Sequence, residues 1–523
     1  MTPKPIPLWM AQTPGPVFPT LDRDLIVDVA EIGGGITGIT TALLCKQAGL
    51  QVAVLEAHKV AGGETGHTTS HVTELLDHRW HKIQKHFGKQ KARRLAESLR
   101  SAIERIATFV DQYAIDCSFE RVPAYLYAEH SKDLGDLIKE LNATQSLGIT
   151  STFVDVAPLP FLVRGALRLE NQAQLDARRY LLPLAERIEG DGSFVFENTK
   201  CLNIHSGDPC TVHTDKGVVR ARHVVIATNA VMNGVVLHTR VAAYRTYALA
   251  ALCDELPPGG LYWDTEDPYH YTRTQKAADG RTYLIVGGND HKTGRGVDTE
   301  QVFADLEEYA RSRYDVTSVE YRWSGQILEP TDGIAYIGRH TSMKHVYVAT
   351  GYSGTGITFG TVAGMLLSDL ILGIENPWAD VYDPRRVGPL AQAKEFVAEN
   401  VDFPVHFIAD RLRPADAHAV SEVAPGEGAI VPISGKKVAI YRDERGEVFA
   451  LSPVCTHMGC HVHWNKAEKS WDCPCHGGRY DAKGAVINGP PTRDLKTLSS
   501  PEEKPQKEDT TDERTGSAEE TAP

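Results

Sequence analysis

The 523-residue chain has no long apolar run. No stretch reaches the roughly 18 uncharged apolar residues of a membrane span. The nearest approach, 362–372, is short and contains Asp369. The N-terminus lacks a basic n-region and a long apolar core, so no signal peptide is expected and a cytoplasmic location follows by default. Positive charge is scarce: 55 Lys and Arg stand against 68 Asp and Glu, a formal net charge of −13. No basic patch is interleaved with aromatics, so neither nucleic acid nor an anionic membrane is an expected partner. Cysteine is sparse and unevenly placed. Of nine, four fall within 455–475, and five (Cys45, Cys117, Cys201, Cys210, Cys253) are scattered and read as buried thiols. The composition is otherwise that of a globular protein. The length exceeds a single core, so about two to four domains are expected.

The cysteine-rich stretch organises the chain. Cys455 and His457 form Cys-x-His; after fifteen further residues Cys473 and His476 form Cys-x-x-His. Two thiolates and two imidazoles, one of each per loop, meet the needs of a 2Fe–2S cluster with sulfur on one iron and nitrogen on the other. A zinc site could use the same ligand types. Zinc ribbons, however, usually pair Cys-x-x-Cys with Cys-x-x-Cys. The stretch resembles Rieske domains of the cytochrome-bc type. That resemblance implies Cys455, His457, Cys473 and His476 as ligands and Cys460–Cys475 as a disulfide tying the loops, an exception to the reduced state of cytosolic thiols. It also implies that Asn488-Gly489-Pro490-Pro491 is the proline loop covering the cluster. In quinol-oxidising relatives the second loop reads Cys-Pro-Cys-His-Gly-Ser-x-Tyr, and its two hydroxyls raise the cluster potential. Here Gly478 takes the serine position, Tyr480 keeps the second hydroxyl, and Arg479 is expected to be solvated. A potential below that of the quinol oxidases follows.

The second centre lies near the N-terminus. Residues 26–32 read as a strand, Gly33-Gly34-Gly35-Ile36-Thr37-Gly38 as a turn, 36–48 as a helix closed by Gly49, and 52–55 as a strand ending in Glu56. This is the strand, glycine turn, helix, strand and acid order of a dinucleotide fold. Gly33, Gly35 and Gly38 let backbone approach a pyrophosphate at the helix N-terminus, and Glu56 accepts from the adenosine ribose. Glu31 fits badly in a strand that should be apolar on both faces.

The following loop, Ala61-Gly62-Gly63-Glu64-Thr65-Gly66-His67-Thr68-Thr69-Ser70, is small and hydroxyl-rich. With it the chain resembles the D-amino-acid oxidase superfamily of flavoproteins, which includes glycine and sarcosine oxidases. Within that superfamily it is most similar to members fused to a C-terminal Rieske domain. The resemblance implies FAD as cofactor, with Thr65, Gly66, Thr68 and Thr69 around the pyrophosphate and flavin, Cys201 and Thr228 as further contacts, and Gly351, Gly354, Gly356 and Ile357 at a closing loop. The plain readings are a polar loop and an ordinary helix start. Some relatives carry Gly-Ser-Thr-Trp-His with FAD covalently joined to the histidine. Gly63 to His67 lacks that tryptophan, so His67 is expected to make no covalent link. In the region 244–294, Tyr271, Arg273 and His291 are candidates for the substrate pocket; a buried tyrosine and a salt-bridged arginine are the plain alternatives.

Apolar steps of three and four from Ile83 through Phe87, Leu95, Leu99, Ile103, Ile106 and Val110 read as a core-packing helix over 81–113. A helix is expected from 174 to 188, and strands at 125–127, 152–156, 193–197, 211–213, 224–229 and 346–349. A hairpin is expected at 437–451. The fold class is α/β: an FAD-binding Rossmann-type domain with an α+β substrate domain, then a small all-β Rieske domain. The layout is an N-terminal extension (1–24); an oxidoreductase part (25–375) with FAD segments near 25–75, 165–235 and 330–375 and substrate segments near 76–164 and 236–329; a linker (376–414); the Rieske domain (415–499); and a disordered tail (500–523). Two redox centres on one chain imply an enzyme that oxidises a small amine or amino acid at FAD and passes electrons through the 2Fe–2S cluster to an external acceptor. The alternatives are reversed electron flow, or an electron carrier or redox sensor with no substrate.

Overall fold

The computed structural model describes residues 3–232, 235–386, 411 and 413–499. Most of the expected linker and all of the tail therefore lie outside the described residues. Among those described, no helix is long and apolar enough to cross a membrane.

The first sheet is built on Leu25–Ile32, which pairs in parallel with Val52–Leu55 on one side and Val218–Ile226 on the other. Val346–Thr350 lies beyond Val218–Ile226, and Phe194–Phe196 beyond Val52–Leu55. Parallel strands are covered on both faces and so are apolar throughout; Val52–Leu55 is buried at every position. Glu31 is the charged residue fully buried there, at 0 % exposure between Val225 and Val54, with no hydrogen-bond partner on either carboxylate oxygen among the described residues. Burial holds its carboxyl well above the usual range. Burial thus favours the neutral form of the acid in this strand.

Helices Ile36–Gln47 and Gly356–Leu372 pack together over this sheet. Trp80–Tyr113 joins them, with Ile83, Leu95, Leu99, Ile103 and Ile106 buried. It is not straight: Gly88 takes φ of 81° and kinks it. Helix Ala177–Glu186 starts where Asp176 accepts from the N–H groups of Arg178 and Arg179.

The second sheet has nine strands, centred on Val241–Cys253, Thr282–Lys292, His270–Lys276 and Leu261–Asp264. It corrects one expected boundary. Gly165–Gln174 pairs with Glu120–Ala128 and with His71–Val72, so 165–174 belongs to this sheet and not to the dinucleotide fold. The cause is long-range antiparallel pairing, which no local pattern announces.

The C-terminal part is all-β. Glu427–Ile433, Lys436–Arg442 and Val448–Leu451 form one small sheet, and His463–Asn465, Ser470–Asp472, Arg479–Asp481 and Val486–Asn488 another. The hairpin turn is fixed by Asp443, whose carboxylate accepts from the N–H groups of Arg445 and Glu447. This part docks tightly on the rest. Arg245, buried in the large sheet, ion-pairs with Glu468, and Ser324 hydrogen-bonds the same carboxylate. Gln326 donates to the Gly477 carbonyl at 2.6 Å, Asn488 to Glu64 at 2.9 Å and Thr299 to Asn465 at 2.9 Å. Arg479, expected in solvent, is buried: it pairs with Glu468 at 3.0 Å and Asp472 at 2.9 Å. Two acids beside it compensate the guanidinium, which is how a charge can be removed from water.

Candidate active site and cluster centre

A cavity of about 560 Å³ runs from Glu56 to the loop before helix Gly356–Leu372. At its dinucleotide end Gly33 has φ of 113°, and a Cβ there would stand 2.6 Å from the Ala227 carbonyl oxygen. Only glycine fits that turn. Gly35 lines the cavity at the start of helix Ile36–Gln47. Gly38 lies behind the wall, where a Cβ would meet the Gly33 carbonyl oxygen at 2.0 Å; its role is close packing of helix on turn. Glu56 accepts from the N–H groups of Gly34 at 2.7 Å and His58 at 2.8 Å, and keeps lone pairs for ribose hydroxyls.

The hydroxyl loop follows. Thr65, Thr68 and Thr69 line the cavity, as does His67, whose Nδ1 is 2.9 Å from the Gly63 carbonyl. Thr65 accepts from Ile36 N–H at 3.0 Å and so holds the loop to the helix start. Gly66 is packed under Ala61 and does not line it. Cys201 and Thr228 line the wall; Gly354, Gly356 and Ile357 close the far end, with Gly351 behind them against Pro330 and Val241.

Of the three pocket candidates, the structure brings only Tyr271 to the cavity, where its hydroxyl is 3.0 Å from that of Thr246. Arg273 is 0 % exposed and spent on structure: it donates to the carbonyls of Thr69 at 2.6 Å, Leu175 at 3.1 Å and Thr274 at 3.3 Å. His291 stacks on Tyr247 and hydrogen-bonds its hydroxyl at 2.9 Å, outside the wall. Both corrections have one cause. Polar side chains in a buried sheet must be satisfied where they stand, and here main chain and neighbours do it. Sequence reasoning missed Asp77, Trp263, Tyr269, Trp323 and Thr246, which do line the cavity. Asp77 accepts from Gly354 N–H at 2.7 Å, a contact across 277 positions with no local signal. Behind Thr246 and Tyr269, burial pushes Asp290 up to about 7. The least expected lining comes from the C-terminal part: Arg479, Asp481 and 485–492, the expected proline loop included.

The cluster centre is built from two loops. Cys455 and Cys473 are buried. The neighbouring Cys473 thiol lowers that of Cys455 against the opposing effect of burial, and the Tyr480 hydroxyl, donating to its Sγ at 3.2 Å, adds to the lowering. His457 and His476 face each other edge-on, ring centres 5.0 Å apart. Burial holds His457 down to about 4 and His476 to about 3, so both are neutral and able to bind metal. Cys460 and Cys475 form a disulfide joining the loops.

These residues fit the two implied groups. The dinucleotide cavity has a glycine turn that a Cβ would block, a helix start and an acid for ribose; the second centre converges two sulfurs and two neutral imidazoles.

The comparisons agree. The model of the DAO family, FAD dependent oxidoreductase, matches 28–370, and that of the Rieske [2Fe-2S] domain matches 414–499. The chain is 34 % identical over 494 residues to the protein YhfW of Bacillus subtilis (94 % of this chain, 97 % of that protein). It is 26 % identical over 371 residues to gamma-glutamylputrescine oxidoreductase of Escherichia coli (68 % of this chain, 86 % of that one). Glycine oxidase from Geobacillus kaustophilus superposes with a TM-score of 0.60 at 18 % identity, covering 70 % of this chain and 100 % of its own.

Proposed function

The chain belongs to the DAO family of FAD-dependent oxidoreductases, joined to a Rieske [2Fe-2S] domain, and from that premise we propose that it oxidises a small amine and passes the electrons through the cluster to an external acceptor. FAD, when bound, supplies the hydride-accepting chemistry, and the 2Fe–2S cluster one-electron chemistry. One observation carries the reading. The loop 488–492 from the Rieske domain and the loop 354–357 from the oxidoreductase part line the same cavity. The Rieske domain thus supplies part of the cavity wall, which supports electron transfer between the two centres within one chain.

The choice of an amine over an amino acid rests on charge. Every lysine and arginine among the described lining residues is already paired: Lys200 with Asp494 at 3.2 Å, Arg245 with Glu468, and Arg479 with Glu468 and Asp472. A substrate carboxylate would find no uncommitted cation there. Asp77, Thr246, Tyr269 and Tyr271 offer acceptors and aromatic faces suited to an ammonium group. FAD is held without a covalent bond to His67 in this reading.

Anaerobic mixing with a panel of amines and amino acids tests the proposal. Flavin bleaching by an amine, followed by cluster reduction, supports it. Bleaching by amino acids alone overturns the substrate class. Bleaching only by an outside reductant, through the cluster, reverses the direction of flow.

A further inference from the structure

His238 ends the short helix Val235–His238 of the oxidoreductase part and is buried against the cluster loops. Its ring centre is 4.9 Å from that of His457, edge-on at 79°, and 6.1 Å from that of His476. Its Nε2 lies 2.6 Å from the Val231 carbonyl oxygen. A carbonyl only accepts, so Nε2 carries the proton and Nδ1 is a bare lone pair. That Nδ1 is buried and has no hydrogen-bond partner among the described residues. A buried acceptor without a donor is expensive and calls for one.

The missing donor is a property of the cluster. An imidazole that binds a metal through one nitrogen presents the other as an N–H group, and that group is almost always held by an acceptor. We propose that His238 is a positioning residue: its Nδ1 accepts the outer N–H of a cluster-ligating histidine, His457 being the nearer. The bond would run from the cluster ligand through His238 to the Val231 carbonyl. Ala230 and Met232, on either side of Val231, line the flavin cavity. His238 thus ties the cluster to the wall of the other centre. An acceptor on the ligand N–H makes the imidazole a stronger donor to iron, which favours the oxidised cluster and lowers its potential. The inference rests on both groups being bound, not on the direction of electron flow.

Two substitutions in the full-length holoprotein separate this role from packing. His238→Asn keeps an acceptor oxygen where Nδ1 stands and loses the donor to Val231; His238→Gln keeps the donor to Val231 and moves its acceptor oxygen away from the Nδ1 position. The readouts are iron content, the EPR spectrum of the reduced cluster and its potential. The expected result is a wild-type spectrum and potential for His238→Asn, and an upward shift with an altered spectrum for His238→Gln. No change in either variant, equal change in both, or loss of iron from both would overturn the proposal.

Discussion

The two redox centres are assembled in opposite ways. The proposed cluster ligands and the disulfide all come from 455–476, a single stretch folded into two facing loops. The flavin cavity takes lining from near positions 33, 56, 65, 77, 201, 228, 246, 271, 324 and 355, then closes with residues from the other domain. A site made within one stretch depends on local turns and two pairs of ligands. A site made from many segments depends on sheet pairing, domain docking and buried polar networks. The two should therefore fail differently.

The largest effect expected is His476→Ala. It removes one of the four side chains expected to hold the cluster, so iron and the cluster spectrum should be lost while FAD stays bound. Metal analysis with flavin quantitation checks this. Loss of both together would show that the centres are not independent in folding.

Glu468→Gln attacks the other kind of construction. Glu468 is shared by Arg245 and Arg479, and these two charges hold its carboxyl down to about 2 against the effect of burial. Removing one partner of a buried network typically costs about 3–5 kcal/mol. Thermal unfolding should begin lower, with FAD released earlier than in the wild type and the cluster ligands themselves unaltered.

Gly478→Ser sharpens the comparison from the cluster side. Its hydroxyl could restore a hydrogen bond worth roughly 1–3 kcal/mol and raise the potential. A Cβ at 478, however, would meet Pro491 at 2.8 Å, and Pro491 lines the flavin cavity. Redox titration should show a rise smaller than one full bond, and pairing with Pro491→Ala should enlarge it.

The smallest effect concerns pH. Asp290, raised to about 7, holds its proton in the folded state while the unfolded carboxyl has lost its own near pH 4. The native state then binds more protons than the unfolded one, so this group's contribution falls as pH rises from about 4 to about 7 and is level above. Asp290→Asn should flatten that part of the stability profile, measured by denaturant unfolding across the range.

What was legible in the sequence follows the same division. Cys455, His457, Cys473 and His476 announce a centre by spacing alone, and Gly33 to Glu56 by their order between two strands. Arg273 and His291 misled because residue type does not say which side of a wall a side chain satisfies itself on. Asp77 was invisible because its partner Gly354 is 277 positions away. Arg479 read as solvated for want of its partners, one of which, Glu468, is shared with Arg245 of the other domain. Glu31 fits its strand badly by residue type, and burial there pushes it toward the neutral acid.

The central claim is that the two centres exchange electrons within one chain. Reducing FAD with light in the anaerobic holoprotein, then following flavin absorbance and cluster EPR together, tests it without any substrate. The reduced-cluster signal should grow as the reduced flavin gives up one electron, read as a partial return of flavin absorbance, at a rate independent of protein concentration. A flavin that stays reduced beside an oxidised cluster, or a rate that scales with concentration, would contradict it.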